Sequence, residues 1–281
     1  MPVNPPRNEH ELELAIVRRV GRNNKQAIDD RTTMANAIVA QMLGEGVAVK
    51  GGSLLRFRYG SKNSRYTMDF DATRKIDLDT FIKGFRERLA AGWQGFTGEA
   101  DILPQASPRG VPFEYVMQPI KVKLKYKNNS WCSVSLEISL GEAGCADYSD
   151  VLQPNEETLT LFSELGFPPP APVRTMPLEH QLAQKLRGIS GLNSRRAHDL
   201  IDLQLMMLHD GENIDLRKVG EICKQIFRHP GTQDWPPKIA RLQNWDTLYT
   251  EQIADLPVAK DVDSAIDWAN ELISRIASLG Y

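Results

Sequence analysis

The sequence predicts an α+β protein in two parts, a mixed sheet flanked by helices over residues 1–150 and a helical domain over 151–281. Three observations carry that prediction. Ile120–Lys127 and Trp131–Leu140 alternate apolar and polar residues around Asn128-Asn129-Ser130, the pattern of an antiparallel hairpin. Val47-Ala48-Val49 runs into Gly51-Gly52-Ser53, an apolar strand that breaks at a glycine turn. From about Val151 onward the apolar spacing becomes mainly helical.

In chain order, residues 1–9 are rich in Pro and Asn and read as an arm. Helices follow from Glu11 and over Lys25–Leu43, the second with Met34, Ile38 and Met42 on one stripe and Gly44 as its stop. The strand Val47–Lys50 leads to a short helix, Ser53–Tyr59, and a loop at Gly60–Ser64. A second strand carries Asp69 and Asp71, and Asp77 caps a helix over Leu78–Gly92. A strand is expected around Ala100–Leu103, before the hairpin. The second half offers helices at Glu156–Leu165, Leu178–Ile189, Arg195–Leu208, Leu216–Arg228 and Val262–Leu279, with a Trp-containing region at 235–250.

Composition narrows the partners. A net charge of −2 gives no whole-chain attraction to nucleic acid, so a nucleic-acid partner needs a local basic patch. Three widely spaced cysteines make neither a disulfide framework nor a zinc set, which favours a reducing compartment. No apolar run has membrane-spanning length and the N-terminus lacks a signal-peptide core, so the expectation is a cytoplasmic protein with no membrane partner.

Chemistry concentrates in Lys50–Ala72. Two glycines at a strand-to-helix turn let backbone approach an anion closely, and the new helix offers its first N–H groups. The plainer alternative is a tight turn with Ser53 as N-cap. Asp69 and Asp71, two apart on a strand, share one face, with Met68, Phe70 and Ala72 expected to face the core. Two neighbouring acids repel unless a cation holds them, and Mg²⁺ is held by a few carboxylates plus substrate phosphates. A pair of metals needs a further acid. Glu137, on the polar face of the hairpin, is that candidate, with Glu114 as substitute. Lys121, Lys123, Lys125 and Lys127 line one face of the other arm, either to follow a polynucleotide or to protect a sheet edge. Further on, Lys185 falls on the buried stripe of Leu178, Leu182, Leu186 and Ile189 and needs an anionic partner. Asp199, in the line Arg196, Asp199, Asp202, could hold it against a triphosphate; an interdomain salt-bridge network is the alternative.

Taken together these residues resemble the AbiEii/AbiGii-type nucleotidyltransferases, toxins of abortive-infection and type IV toxin–antitoxin systems within the DNA polymerase β-like superfamily. The resemblance rests on KGGSLLR ending in Arg56, on Arg65-Tyr66-Thr67-Met68-Asp69-Phe70-Asp71, and on Glu179, Leu182-Ala183-Gln184-Lys185-Leu186 with Arg196, Asp199 and Asp202-Leu203. It covers roughly residues 30–210. The loop at Gly60–Ser64 is slightly longer than usual, and His198 stands where a basic residue commonly precedes the motif aspartate.

The resemblance implies a nucleotidyltransferase-like sheet domain and a helical domain that completes an NTP/acceptor cleft. Asp69, Asp71 and Glu137 would hold two Mg²⁺ ions. Gly52, Ser53, Lys185 and Arg196, with Arg56 or Arg65, would bind the NTP, while Asp199 orients the lysine. The expected acceptor is a tRNA 3′ end, and a cognate antitoxin is the expected partner. A modification of Thr67, on the aspartate face, would place negative charge beside the metals. A protein or small-molecule acceptor, and a non-catalytic NTP- or RNA-binding module, are the alternatives.

Overall fold

The structure, a computed structural model, describes residues 4–21, 23–106, 116–145, 149–228, 233–253 and 255–279. Helices α1 (Glu9–Val20) and α2 (Asn24–Met42) open the chain, each with an asparagine, Asn8 or Asn23, as side-chain N-cap. Strand β1 (Val47–Val49), helix α3 (Gly51–Tyr59), β2 (Asp69–Arg74) and α4 (Leu78–Ala91) follow. Asp77 caps α4 by accepting from Thr80 N at 2.8 Å, as its position predicts. Next come β3 (Phe96–Ile102), β4 (Gln118–Tyr126), β5 (Asn129–Leu140), β6 (Asp150–Leu152), α5 (Glu156–Glu164) and β7 (Val173–Thr175). The remainder is helical: α6 (Leu178–Ile189), α7 (His198–Asp210), α8 (Leu216–Ile226), α9 (Trp245–Ile253) and α10 (Val262–Ser278).

The seven strands make one mixed sheet in the order β3-β4-β5-β2-β1-β7-β6. The hairpin turns at Lys127 and Asn128, both with positive φ (46° and 71°), one position earlier than the Asn-Asn-Ser triplet suggests. β4 lies inside the sheet, so its lysines do not guard an edge. Lys123 pairs with Asp101 of β3 at 2.7 Å and Lys125 pairs with Glu99, which removes half of the expected polynucleotide track by cross-strand neutralisation. The N-terminal arm is pinned from residue 6 onward, where Tyr126 donates its hydroxyl to Pro6 O at 2.6 Å.

Two hydrophobic cores divide the chain. The first runs from Leu12 to Met176 beneath the sheet; the second gathers Leu178–Ile276 around Trp245 and Tyr249. The cores therefore divide at Pro177 and not near 150, where the helical pattern begins. Strand β6, which straddles residue 151, and β7 and α5 beyond it belong to the first core, and strands this short leave no readable alternation.

Helix α3 joins the halves. Leu54 and Phe57 point into the first core and Leu55 into the second. Its last turn is tied to α7 through Asp210, which accepts from Arg58 Nε (2.6 Å), Arg58 Nη2 (2.9 Å) and Tyr59 Oη (2.7 Å). The Arg58 hydrogen bonds hold the Asp210 carboxyl below the usual range, with Tyr59 adding to them and burial opposing. Asp210→Ala is expected to destabilise the protein by about 3 kcal/mol, read as a lower urea midpoint, because a guanidinium and a phenol lose their common acceptor.

Candidate active site

The floor of the site is where β2 meets β5. They run parallel with Asp69 opposite Ser135 and Asp71 opposite Glu137, so the two aspartates and the glutamate share one face. Phe70 and Ala72 are fully buried on the other face. Met68 is not: it is 73% exposed, because the sheet pairing starts only at Asp69 and no core lies beneath the residue before it. Burial raises the Asp71 carboxyl above its ordinary value; Asp69 adds to the rise, while Lys50, Arg196 and Lys185 oppose it. Glu137 is raised too, by burial first and then by Asp71 and Asp69.

These are hard oxygen donors carrying mutual repulsion, the chemistry that a divalent cation relieves. Among the described residues no three acidic, His or Cys side chains are grouped so that they could hold a metal ion by themselves. A cation held by these carboxylates would need further oxygen donors, as Mg²⁺ takes from substrate phosphates and water. Lys50 stands beside it, donating to Ser139 Oγ at 2.7 Å; burial lowers the pKa of its ammonium, and Asp71 counters that effect. Glu114 lies outside the described residues.

The glycine turn leans directly over this floor. Helix α3 begins at Gly51, two residues before Ser53, and Gly51 has φ +67°. A Cβ there would collide with the Asp71 carboxylate, so glycine is required for both backbone and space. At Gly52 a Cβ would lie 3.1 Å from Thr67 Cβ and 3.2 Å from Arg65 Nη2. Ser53 is buried and donates its hydroxyl to Asp69 O at 2.8 Å, tying α3 to β2. Thr67 is also mostly buried, its hydroxyl 3.4 Å from the same carbonyl.

The turn is held from the helical half as well. Gln181 of α6, 2% exposed, accepts from Gly51 N at 3.1 Å and donates to Gly51 O at 2.9 Å. One side-chain amide thereby fixes both polar groups of the strained glycine. Gln181→Ala is expected to leave the cores intact but lower kcat/KM for NTP by about 10-fold, the effect of losing roughly one to two hydrogen bonds that position the turn. Unchanged NTP kinetics would contradict that role.

Above the turn lies a row of alternating charges. Arg65 Nε donates to Asp202 at 3.0 Å; Lys185 Nζ bridges Asp202 (2.5 Å) and Asp199 (2.8 Å); Arg196 Nε reaches Asp199 at 2.6 Å. Lys185, Asp199 and Asp202 are buried. Three cations face two acids, leaving one positive charge in excess on the cleft side. Burial opposes ionisation of Asp199, yet Arg196 and Lys185 outweigh it and hold the carboxyl far below the usual range. Burial takes His198 down to about 4, so it is neutral at pH 7 and adds no charge to the row. The packing needs Gly188, where a Cβ would stand 2.8 Å from Asp199 Oδ2. Arg56 joins a different cluster: buried, it pairs with Asp29 and donates to Thr33 Oγ1 at 3.3 Å.

Most of these groups, though not Ser53, Asp199 or Asp202, line one cleft of about 2010 Å³. Asp69, Asp71, Glu137, Gly52, Arg56, Arg65, Lys185 and Arg196 are together on its wall, joined by Glu251, Gln252 and Asp255 from the C-terminal region. Sequence reasoning missed Lys50, Gln181 and Gln252, which accepts from Arg65 Nη1 at 3.4 Å. A polar Gln181 amid the apolar α6 residues was the one available signal. Lys50 sits next to the glycines without any pattern, and Gln252 lies far along the chain.

The fold has a known counterpart. MenT4, a nucleotidyltransferase toxin from Mycobacterium tuberculosis H37Rv, superposes with a TM-score of 0.50 at 16% identity, over 96% of this chain and 99% of that one. JHP933 from Helicobacter pylori gives a TM-score of 0.44 at 15% identity, over 92% and 94% of the two chains. No curated protein matches the sequence significantly. The sequence profile described as "Nucleotidyl transferase AbiEii toxin, Type IV TA system" matches residues 33–272, extending past the motifs into α10. The chain belongs to the AbiEii nucleotidyltransferase toxin family of type IV toxin–antitoxin systems.

Proposed function

We propose that this nucleotidyltransferase moves an NMP unit from an NTP to the 3′ hydroxyl of a tRNA, and that the transfer arrests growth unless a cognate antitoxin restrains it. The observation that carries the reading is the in-register placement of Asp71 beside Glu137, under the Gly51-Gly52 turn and opposite Lys185, in one cleft. The acceptor oxygen attacks the α-phosphorus, the α–β anhydride breaks, pyrophosphate leaves, and the hydroxyl proton passes to water.

Asp69, Asp71 and Glu137 would hold Mg²⁺, which when bound supplies Lewis-acid stabilisation of the charge developing on the phosphate oxygens. The chain's own residues do the rest. The α3 N-terminus and the cations Arg65, Lys185 and Arg196 bind and orient the triphosphate. Asp199 and Asp202 keep Lys185 in place, and Ser53 keeps the turn registered on the Asp69 strand. The cleft, near 2010 Å³, is about twice the upper range of roughly 1,000 Å³ for small-ligand pockets, which favours a large acceptor over a small molecule. No helix among the described residues is long and apolar enough to cross a membrane.

The test is made in cells. Induction of wild type is expected to stop growth, with 3′-end sequencing showing tRNAs extended by nucleotides their genes do not encode. Asp69→Ala is expected to do neither. Growth arrest with unaltered tRNA ends would shift the acceptor to protein, and normal growth under wild-type induction would sink the toxin reading.

A further inference from the structure

The cleft mouth carries a feature that NTP binding does not use. Ile28, Tyr66, Met68 and Leu192 line it and are 51%, 44%, 73% and 68% exposed. They are four of the eleven large apolar side chains left exposed among the described residues, so their gathering at one cleft calls for an occupant. Their supports are firm. Tyr66 and Met68 sit on the extended segment held between Arg65, bound to Asp202, and Asp69, whose carbonyl is bound by Ser53. Leu192 rides on a loop closed by Ser194 Oγ donating to Gly188 O (2.7 Å) and by the buried Trp245 donating to Ser194 O (2.7 Å). Arg195 and Arg196 are exposed on the same loop and line the same cleft.

We infer that Tyr66, Met68 and Leu192 form a stacking platform for the unpaired 3′-terminal base of the RNA acceptor, with Arg195 taking a backbone phosphate. This rests on the RNA-acceptor reading above. An aromatic or apolar surface beside exposed arginines is the combination that holds single-stranded nucleic acid with little base preference. The floor of the cleft and the support of the glycine turn lie deeper: Lys185 and Gln181 are buried, and Asp71 is half-buried where Asp69 is exposed. Moving outward from Asp71 through Asp69 to Met68 and Tyr66, the wall changes from charged to apolar. The acceptor's end enters over that outer wall, and its hydroxyl then points at the acids below.

The test uses the full chain, labelled NTP with Mg²⁺, and a hairpin RNA bearing a single-stranded 3′ tail. Tyr66→Ser combined with Met68→Ser is expected to raise KM for the RNA about 10-fold or more, on the scale of one lost base stack, with KM for NTP and the thermal midpoint unchanged. Tyr66→Phe is expected to keep wild-type KM, and a blunt-ended duplex to be a poorer acceptor than the tailed hairpin. An unchanged KM for RNA, or a rise in KM for NTP instead, would overturn the assignment while wild-type labelling still upheld the RNA reading. Wild type that labels no RNA would overturn both.

Discussion

Asp71→Asn is expected to lower nucleotidyl transfer on the order of 10³-fold or more while leaving the fold about as stable as before. The two halves of that result have one cause. Burial raises the Asp71 carboxyl, and Asp69 adds to the rise, so the folded protein disfavours the very charge that the chemistry needs. A neutral amide of the same shape relieves that strain, and Lys50 keeps its bond to Ser139. Label transfer measured beside a thermal melt tests both halves. Loss of activity accompanied by a large loss of stability would mean that Asp71 is a structural residue.

Asp199→Ala is expected to act in the opposite sense, destabilising the protein by about 3–5 kcal/mol, because it leaves buried Lys185 with one acid instead of two. Arg196 is half-exposed and turns to water, so the loss falls on the lysine. Lys185→Met provides the contrast. Asp199 and Asp202 then keep Arg196 and Arg65, stability falls by less, and the defect is expected mainly as a higher KM for NTP. The pH dependence has a definite sign. Asp199 and Asp202 are held below the unfolded value of 3.8, so their contribution is complete above about pH 4 and is lost as pH falls further. Acid unfolding of Asp199→Ala is expected to lack that part of the transition.

Much of this site is readable in the sequence because its chemistry is local. The Gly-Gly turn, the Asp69/Asp71 alternation and the α6 stripe with an inward Lys185 are patterns of period two or 3.6, and the geometry follows from them. Glu137 is a harder case: its face can be read, but its pairing with Asp71 depends on a parallel register between strands far apart in the chain. Met68 shows the limit of alternation, which says which side a residue faces and not whether core exists there. Gln181 and Asp202 act through tertiary contact, with Gly51 and with Arg65; the line Arg196, Asp199, Asp202 and a polar Gln181 among apolar α6 residues are visible in the sequence, but neither pattern names the partner. The strands β6 and β7 are too short to carry a pattern, which is why the extension of the first core 26 residues past Asp150 to Met176 is not legible in the sequence.

The claim that one cleft joins metal-holding acids, a phosphate turn and an RNA acceptor is tested most directly by incubating purified protein with each α-labelled NTP, Mg²⁺ and total RNA. Label is expected in RNA with at least one NTP, dependent on Mg²⁺ and absent for Asp71→Asn. No label with any NTP, or equal label with Asp71→Asn, would contradict it.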